Sequence, residues 1–149
     1  MIALALRPDP ALFLCVEEDP VQRRLLQACF DVAGAGAVFA ASASQALTQF
    51  RRRPFDLVLM DFDIHAAAEL AAFVTMRESG AVPILAVTEN ECHWSEADYR
   101  EAGFAGLFEK PLEPGRLIAT IDRVLRETGQ PPLLREPRAA FEPAFAYLH

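Results

Sequence analysis

The stretch Phe55-Asp56-Leu57-Val58-Leu59-Met60-Asp61 contains an apolar run that ends abruptly in a carboxylate. An unbroken run of branched apolar residues is typical of a strand that is buried on both faces. Such strands occur in parallel sheets covered by helices, and the carboxyl ends of these strands open onto the ligand-binding crevice. We therefore expect Asp61 to lie at the functional edge of a central strand.

Four further apolar runs are separated by helical patterns, so predicted strands and helices alternate along the chain. The other predicted strands cover residues 11–16, 37–41, 82–87 and 105–108. The predicted helices cover residues 21–32, a stretch between Ser42 and Pro54, residues 66–79, a short stretch capped by Ser95 and Asp98, and residues 113–127. This order predicts an α/β fold in which a doubly wound, five-stranded parallel sheet is flanked by five helices.

Residues that favour helix ends mark the boundaries of the first two helices. Asp19 is placed to cap the first helix, and either Ser42 or Ser44 can cap the second. Gly34 and Gly36 are both expected to end the first helix, since glycine commonly follows the last helical turn.

The composition predicts one globular domain, which we place at residues 11–127. The chain has 149 residues, of which 52% are hydrophobic, and it carries a formal charge of −7 with a pI near 4.9. This charge argues against a nucleic-acid-binding surface, which needs clustered Lys and Arg. The single basic run, Arg51-Arg52-Arg53, is interpreted as the solvated end of a helix.

Cysteine usage and the start of the chain indicate a cytoplasmic protein. Cys15, Cys29 and Cys92 are odd in number and lack CxxC spacing, so we expect reduced thiols rather than disulfides or a zinc site. Residues 1–6 are apolar, but they lack a basic start and end at Arg7. We therefore expect neither a signal peptide nor a membrane span there.

Residues 128–149 break the alternation and form a Pro-rich, apolar C-terminal tail. The tail contains four prolines and the apolar residues Leu133, Leu134, Phe141, Phe145 and Tyr147. Its prolines exclude one continuous helix, and its apolar content is too high for a solvated linker. We expect the tail to dock on this domain or to act as the arm of a homodimer.

Polar residues follow four of the predicted strands and converge on one edge of the sheet. They are Glu17-Glu18 after the first strand, Asp61 after the third, Thr88 after the fourth and Lys110 after the fifth. Carboxylates that lie together suit a hard cation such as Mg²⁺. An Asp beside such an ion can accept a phosphoryl group, while a lysine neutralises the transferred charge.

This pattern resembles the receiver domain of two-component response regulators over residues 11–127. The resemblance implies the flavodoxin-like receiver fold and transfer of a phosphoryl group onto an aspartate with Mg²⁺ as cofactor. It implies that Asp61 is the phosphoacceptor, and that Thr88 and Lys110 are the switch hydroxyl and the phosphate-contacting lysine. It also implies metal binding by Glu17, Glu18, Asp61 and the backbone carbonyl of Asp63.

The chain departs from the family pattern at three places. Residues 64–69 read Ile-His-Ala-Ala-Ala-Glu where the family usually has Met-Pro followed by Asp-Gly. The acidic pair Glu17-Glu18 consists of two glutamates, where at least one aspartate is usual. At the switch position, where the family usually has Tyr or Phe, this chain has Leu107, with Phe108 next to it.

The expected function is that of a single-domain response regulator, which is a phosphoacceptor signalling protein and not an enzyme. Its donor would be a histidine kinase or histidine phosphotransfer protein, and its output would pass through contacts with a downstream protein target. One alternative is a degenerate receiver that acts as a phosphorylation-independent interaction module. A lesser alternative is a phosphatase, since Asp61-Phe62-Asp63 also resembles the first motif of haloacid dehalogenase-type enzymes. A nucleotide-binding protein is disfavoured because no Gly-rich loop follows the first strand.

Overall fold

The structure is a computed structural model that describes residues 10–63, 66–131 and 133. In this part of the chain the strands are β1 (Leu12–Val16), β2 (Gly36–Ala40), β3 (Leu57–Asp61), β4 (Ile84–Thr88) and β5 (Gly106–Glu109). The helices are α1 (Pro20–Ala33), α2 (Ala43–Arg52), α3 (Ala67–Ser79), α4 (Glu96–Ala102) and α5 (Pro114–Glu127). All strand pairs are parallel in the order β2-β1-β3-β4-β5, so the predicted doubly wound α/β fold is confirmed.

Strand β3 occupies the centre of the sheet and pairs with a strand on each side. Val16 of β1 pairs with Met60, and Val87 of β4 pairs with Asp61. The carboxyl ends of the three strands are therefore level to within about one residue. This register puts Glu17, the first residue after β1, beside the end of β3.

Alternate residues of β3 enter two different core layers. Leu57 and Leu59 are buried in a layer that also contains residues of α1 and α5, whereas Val58 and Met60 are buried in a layer with α2, α3 and α4. Each fully buried side chain of this size stabilises the fold by about 1.5–3 kcal/mol relative to exposure. The unbroken apolar run therefore follows from the two covered faces of the sheet.

The helix starts agree with the sequence, and one helix end does not. Asp19 accepts a hydrogen bond from the Val21 N–H at the start of α1, and Ser42 rather than Ser44 provides the side-chain cap of α2. The expectation that Gly36 helps to end α1 was wrong. Gly34, with φ of 77°, ends the helix alone. Gly36 is instead the first residue of β2, and its N–H donates to the Ala11 carbonyl at 2.8 Å.

The first residues after α5 pack on the domain. Leu133 is buried in the core layer of α1 and α5, and its N–H donates to Asp122 Oδ1 at 3.0 Å. The Gln130 side chain donates to the Asp56 carbonyl at 2.8 Å. Pro132 and residues 134–149 lie outside the described residues. The domain boundary at residue 127 and the role of the tail as a docking or dimer arm therefore stay predictions.

The cysteines and the helices of the described residues have two further features. Cys15, Cys29 and Cys92 are free thiols, and burial raises the pKa of the Cys15 thiol above its ordinary value. Among the helices that the structure describes, none combines the length and the apolar character that crossing a bilayer requires.

Candidate functional site

An ion-paired triad lies at the carboxyl edge of the sheet. Lys110 Nζ lies 3.2 Å from Asp61 Oδ1 and 3.4 Å from Glu17 Oε1, so one ammonium group bridges two carboxylates. These residues come from the ends of β3, β1 and β5, which are far apart in the sequence. The structure thus brings three of the site residues expected from the sequence into direct contact.

Backbone hydrogen bonds that continue the sheet hold the triad in place. The N–H of Glu17 donates to the Ala40 carbonyl of β2, and the N–H of Lys110 donates to the Thr88 carbonyl of β4, both at 2.9 Å. These two bonds fix Glu17 and Lys110 at the strand ends that carry them, and Asp61 is itself the last residue of β3. The Lys110-Pro111 peptide bond is cis.

The residue after Asp61 is fixed by aromatic packing. Phe62 is buried and meets Phe104 edge to face, with ring centroids 4.9 Å apart, and Phe73 at 5.9 Å. Its N–H donates to the Val87 carbonyl at 2.9 Å. The backbone around Asp61 is consequently held by pairing with β4 and by the packing of Phe62.

Burial and charge pairing have opposite effects on the pKa values of the triad. The side chains of Glu17, Lys110 and Asp61 are 4%, 16% and 34% exposed. Burial raises the pKa of the Asp61 carboxyl and of the Glu17 carboxyl, and the Lys110 charge only partly offsets this. Burial by itself would lower the pKa of Lys110, but Asp61 and Glu17 outweigh it and hold that pKa above its ordinary value. Lys110 therefore stays protonated at neutral pH.

The carboxylates expected to bind a cation are near one another but are already engaged in other contacts. Glu17 Oε1 faces Lys110, and Glu17 Oε2 accepts a hydrogen bond from the Asp19 N–H at 3.1 Å. Glu18 is exposed, and its charge adds to the negative potential at Asp61. Carboxylate oxygens are the ligands that Mg²⁺ prefers, so the donor chemistry fits this ion. Within residues 10–63, 66–131 and 133, however, no group of three or more metal-ligating side chains is preassembled.

The backbone of Asp63 is held by residues from the start of α3. The Asp63 carbonyl, expected to be a metal ligand, accepts a hydrogen bond from the Ala66 N–H at 2.9 Å. The Asp63 N–H donates to Glu69 Oε1, also at 2.9 Å. A carbonyl oxygen has two lone pairs, so one accepted hydrogen bond does not by itself prevent the Asp63 carbonyl from binding a cation.

Glu69 is a site neighbour that sequence reasoning missed. Burial raises the pKa of the Glu69 carboxyl, and the charges of Asp61, Asp63 and Glu18 act in the same direction. In the sequence, Glu69 is distinguished only as part of the departure from the family pattern at residues 64–69. It lies in the first turn of α3, where acidic residues are favoured whatever their role, so its position alone does not indicate a site residue.

Thr88 and Leu107, at the switch position, are not members of the ion-paired triad. Thr88 is buried at the end of β4, and its Oγ1 accepts a hydrogen bond from the Asn90 N–H at 2.9 Å. Leu107 is partly buried in the layer of α2, α3 and α4. Phe108 lies in the opposite layer, with the Arg116 guanidinium 4.7 Å from its ring centroid. The adjacent aromatic residue therefore does not replace the missing one at position 107.

Comparison with known proteins agrees with this geometry. The family model described as response regulator receiver domain matches residues 13–122. The transcriptional regulatory protein ZraR of Salmonella typhimurium is 33% identical over 123 residues, which cover 78% of this chain and 27% of ZraR. The chain thus spans about a quarter of the length of that relative.

Solved structures share the fold over nearly their whole length. The chemotaxis response regulator CheY4 of Vibrio cholerae superposes with a TM-score of 0.69 at 24% identity, covering 78% of this chain and 99% of CheY4. The receiver domain of the sensor histidine kinase PA1611 from Pseudomonas aeruginosa PAO1 superposes with a TM-score of 0.65 at 22% identity, covering 78% and 98%. That structure has a magnesium ion coordinated in its active-site cleft. At these identities the likeness shows the fold.

Proposed function

The chain belongs to the response regulator receiver family, and on this premise we propose that it accepts a phosphoryl group on Asp61 from a histidine kinase or histidine phosphotransfer protein. The observation that carries the proposal is the pairing of the Lys110 ammonium with the Asp61 carboxylate at 3.2 Å. A partly exposed aspartate beside a fixed cation can receive an anionic group with less charge repulsion than an isolated carboxylate.

In the proposed reaction an Asp61 carboxylate oxygen attacks the phosphorus atom of a phosphohistidine. A P–O bond forms while the P–N bond breaks, and the imidazole leaves with the electron pair of the broken bond. Lys110 is placed to neutralise charge on the phosphoryl oxygens. The Thr88 hydroxyl, one strand away, can donate a hydrogen bond to one of those oxygens.

The donor set at this edge suits Mg²⁺, and we propose that Asp61, Glu17, Glu18 and the Asp63 carbonyl hold it. The magnesium ion in the PA1611 receiver domain, which has the same fold, supports this assignment. When bound, the ion supplies positive charge that neutralises the phosphoryl group. Because Glu17 is paired with Lys110 at 3.4 Å, this contact would have to rearrange for Glu17 to hold the metal.

The output of the chain is proposed to pass through contacts with a downstream protein, in the cytoplasm and without nucleic-acid binding. The net charge of −7 supports the last point. Action as a stand-alone regulator is likewise a proposal, because the chain matches about a quarter of its relative ZraR. Homodimer formation through residues 128–149 belongs to the same proposal.

A second candidate function is that of a receiver which binds partners without being phosphorylated. Three observations favour it: the absence of a preassembled metal-binding group in the described residues, the Leu107 side chain at the switch position, and the engaged Thr88 hydroxyl. The ion pair of Asp61 and Lys110 argues against it, because a receiver that is not phosphorylated does not require an aspartate and a lysine at this site. No observation favours the phosphatase alternative.

Labelling with acetyl phosphate separates these candidates. We expect the intact mass of the wild-type chain to increase by one phosphoryl group in the presence of Mg²⁺ and to remain unchanged when EDTA is added. Asp61→Asn should remove the increase, while Asp31→Asn, at an exposed position of α1, should retain it. A wild-type chain that gains no mass would contradict the phosphoacceptor function and favour the interaction module.

A further inference from the structure

Asn90 is a buried hub that joins the loop after β4 to α4 and β5. It is 5% exposed and adopts φ of 53°, a left-handed conformation that Asn tolerates better than most residues. Its Nδ2 donates to Glu109 Oε2 at 2.6 Å and to the Trp94 carbonyl at 2.7 Å. Its Oδ1 accepts from the Trp94 N–H and the Tyr99 hydroxyl, each at 3.1 Å. Oδ1 also accepts from Cys92 Sγ at 3.5 Å, so both polar atoms of the amide are fully engaged.

The backbone of the same residue reaches the proposed phosphorylation site. The Asn90 N–H donates to Thr88 Oγ1 at 2.9 Å inside the protein. If the Thr88 side chain rotates so that its hydroxyl donates to a phosphoryl oxygen on Asp61, Oγ1 moves away from its present position beside the Asn90 N–H. A buried N–H that loses its acceptor is unfavourable, so Asn90 must follow the hydroxyl or find another partner.

Tyr99 of α4 is a buried aromatic residue whose hydroxyl donates to Asn90 Oδ1. It is 1% exposed, and its ring meets those of Trp94 and Phe104 edge to face at 5.2 Å and 5.6 Å. Burial raises the pKa of Tyr99 to about 12, whereas a hydrogen-bonding interaction with the Thr88 side chain acts in the opposite direction. The hydroxyl therefore remains protonated and donates to Asn90.

There is room beside these groups for the side chains to move. A cavity of about 110 Å³ is lined by Thr88, Asn90 and Tyr99, together with residues that follow β3 and β4. Leu107 has no polar atom with which to follow a hydroxyl, and Phe108 lies in the opposite core layer. Among the described residues, the polar groups that connect Thr88 to α4 are those of Asn90, in the loop before α4, and Tyr99, on α4 itself.

We propose that Asn90 and Tyr99 transmit phosphorylation of Asp61 through Thr88 to helix α4 and to Glu109 at the end of β5. This inference rests on the proposed function and adds the route by which the acceptor is read out. Asn90 and Tyr99 act through Thr88 and do not contact the reacting atoms, so they are positioning residues. The proposal assigns to α4 the role that an aromatic residue at position 107 would otherwise have.

Trp94 provides a direct readout, because it is the single tryptophan of the chain and contacts both proposed residues. We expect its fluorescence to change when the wild-type chain is phosphorylated by acetyl phosphate and Mg²⁺. Tyr99→Phe removes only the hydroxyl, and Asn90→Gly removes the amide while retaining the left-handed backbone. Both variants should gain the same phosphoryl mass as wild type and lose most of the fluorescence change. Thr75→Ala, at an exposed position of α3, is the control that should retain it.

Intact mass and fluorescence together distinguish the outcomes. Equal fluorescence changes in wild type and both variants, at equal phosphoryl incorporation, would overturn the proposal. Incorporation without any change in wild-type fluorescence would do the same. Loss of incorporation in the variants would place both residues in the transfer step and contradict a readout role. Absence of incorporation in wild type would overturn the proposed function itself, and with it the readout.

Discussion

Lys110 Nζ and Asp61 Oδ1 lie 3.2 Å apart across the end of the sheet, although 49 positions separate the two residues in the chain. Glu17 shares the same ammonium group. Asp61, whose side chain is partly exposed, is therefore held in place by a cation that belongs to the protein. This pairing leads to the first two predictions.

Replacement of Lys110 by Ala should slow phosphorylation of Asp61 by about 10²–10³-fold, since one group that neutralises the transferred charge is lost. It should also lower the free energy of unfolding at neutral pH by about 1–3 kcal/mol, because the buried Glu17 carboxylate loses its partner. Rates from intact mass and urea unfolding measure the two effects. Arg24→Ala, at an exposed basic position of α1, should change neither. A Lys110→Ala chain phosphorylated at the wild-type rate would refute the role of Lys110.

Replacement of Asp61 by Asn should increase the free energy of unfolding at neutral pH. Burial raises the pKa of Asp61 in the folded state, so the charged form is disfavoured there. The unfavourable contribution is absent below the ordinary pKa and develops as pH rises through the raised folded value. The excess stability of Asp61→Asn should therefore shrink toward zero in acid. Urea unfolding over a pH series tests this, with Asp31→Asn as control; a pH-independent difference would contradict it.

Replacement of Asp63 by Asn should slow the loss of the phosphoryl group from Asp61, by up to about a hundredfold. Asp63 is exposed two positions after Asp61, and its backbone is held by Glu69 and Ala66, so we expect its carboxylate to orient an attacking water. The decay of the phosphorylated mass after removal of acetyl phosphate measures the rate. Glu91→Gln, in the exposed loop after β4, serves as control. Identical decay in Asp63→Asn and wild type would dismiss the idea.

Replacement of Ser42 by Ala should destabilise the chain by about 1 kcal/mol, whereas Ser44→Ala should have little effect. Ser42 Oγ accepts the Gln45 N–H at 3.2 Å and so caps α2, while Ser44 lies inside the first turn. The two changes are chemically identical and two positions apart. Thermal or urea unfolding of both variants measures the difference, and equal effects would show that the cap is not Ser42.

The start of the tail and its remainder can be tested separately. Leu133→Ala should lower the free energy of unfolding by about 1.5–3 kcal/mol, because a buried leucine is truncated. Deletion of residues 134–149 leaves Leu133 in place and tests the dimer arm. If the arm exists, sedimentation should show a smaller assembly after the deletion. An unchanged sedimentation profile would argue against the arm without affecting the result for Leu133.

The sheet edge could be predicted because parallel topology brings strand ends together whatever lies between them. Once Asp61 was placed at a central strand end, the convergence of Glu17 and Lys110 followed from the order of the elements. The contacts of Asn90 could not be predicted in this way. They join a loop, a helix and a strand end, and they depend on one left-handed backbone angle that sequence spacing does not encode.

Two smaller differences have equally local causes. Gly36 was expected to end a helix because glycine commonly does so, but its N–H is needed for the first bond between β1 and β2. Glu69 was overlooked because acidic residues are common in the first turn of a helix. The partner of Gly36, Ala11, is brought near by the sheet, whereas Glu69 meets the Asp63 N–H six positions before it in the chain.

The central position of β3 has a consequence for local opening of the protein. A strand paired on both sides and covered on both faces exchanges its amide hydrogens only when most of the domain unfolds, whereas a short helix such as α4 can detach at lower cost. We therefore expect the amides of β3, including that of Asp61, to exchange more slowly than those of α4, although the Tyr99 side chain is buried. In the proposed readout, this difference lets Asp61 keep its geometry while α4 moves.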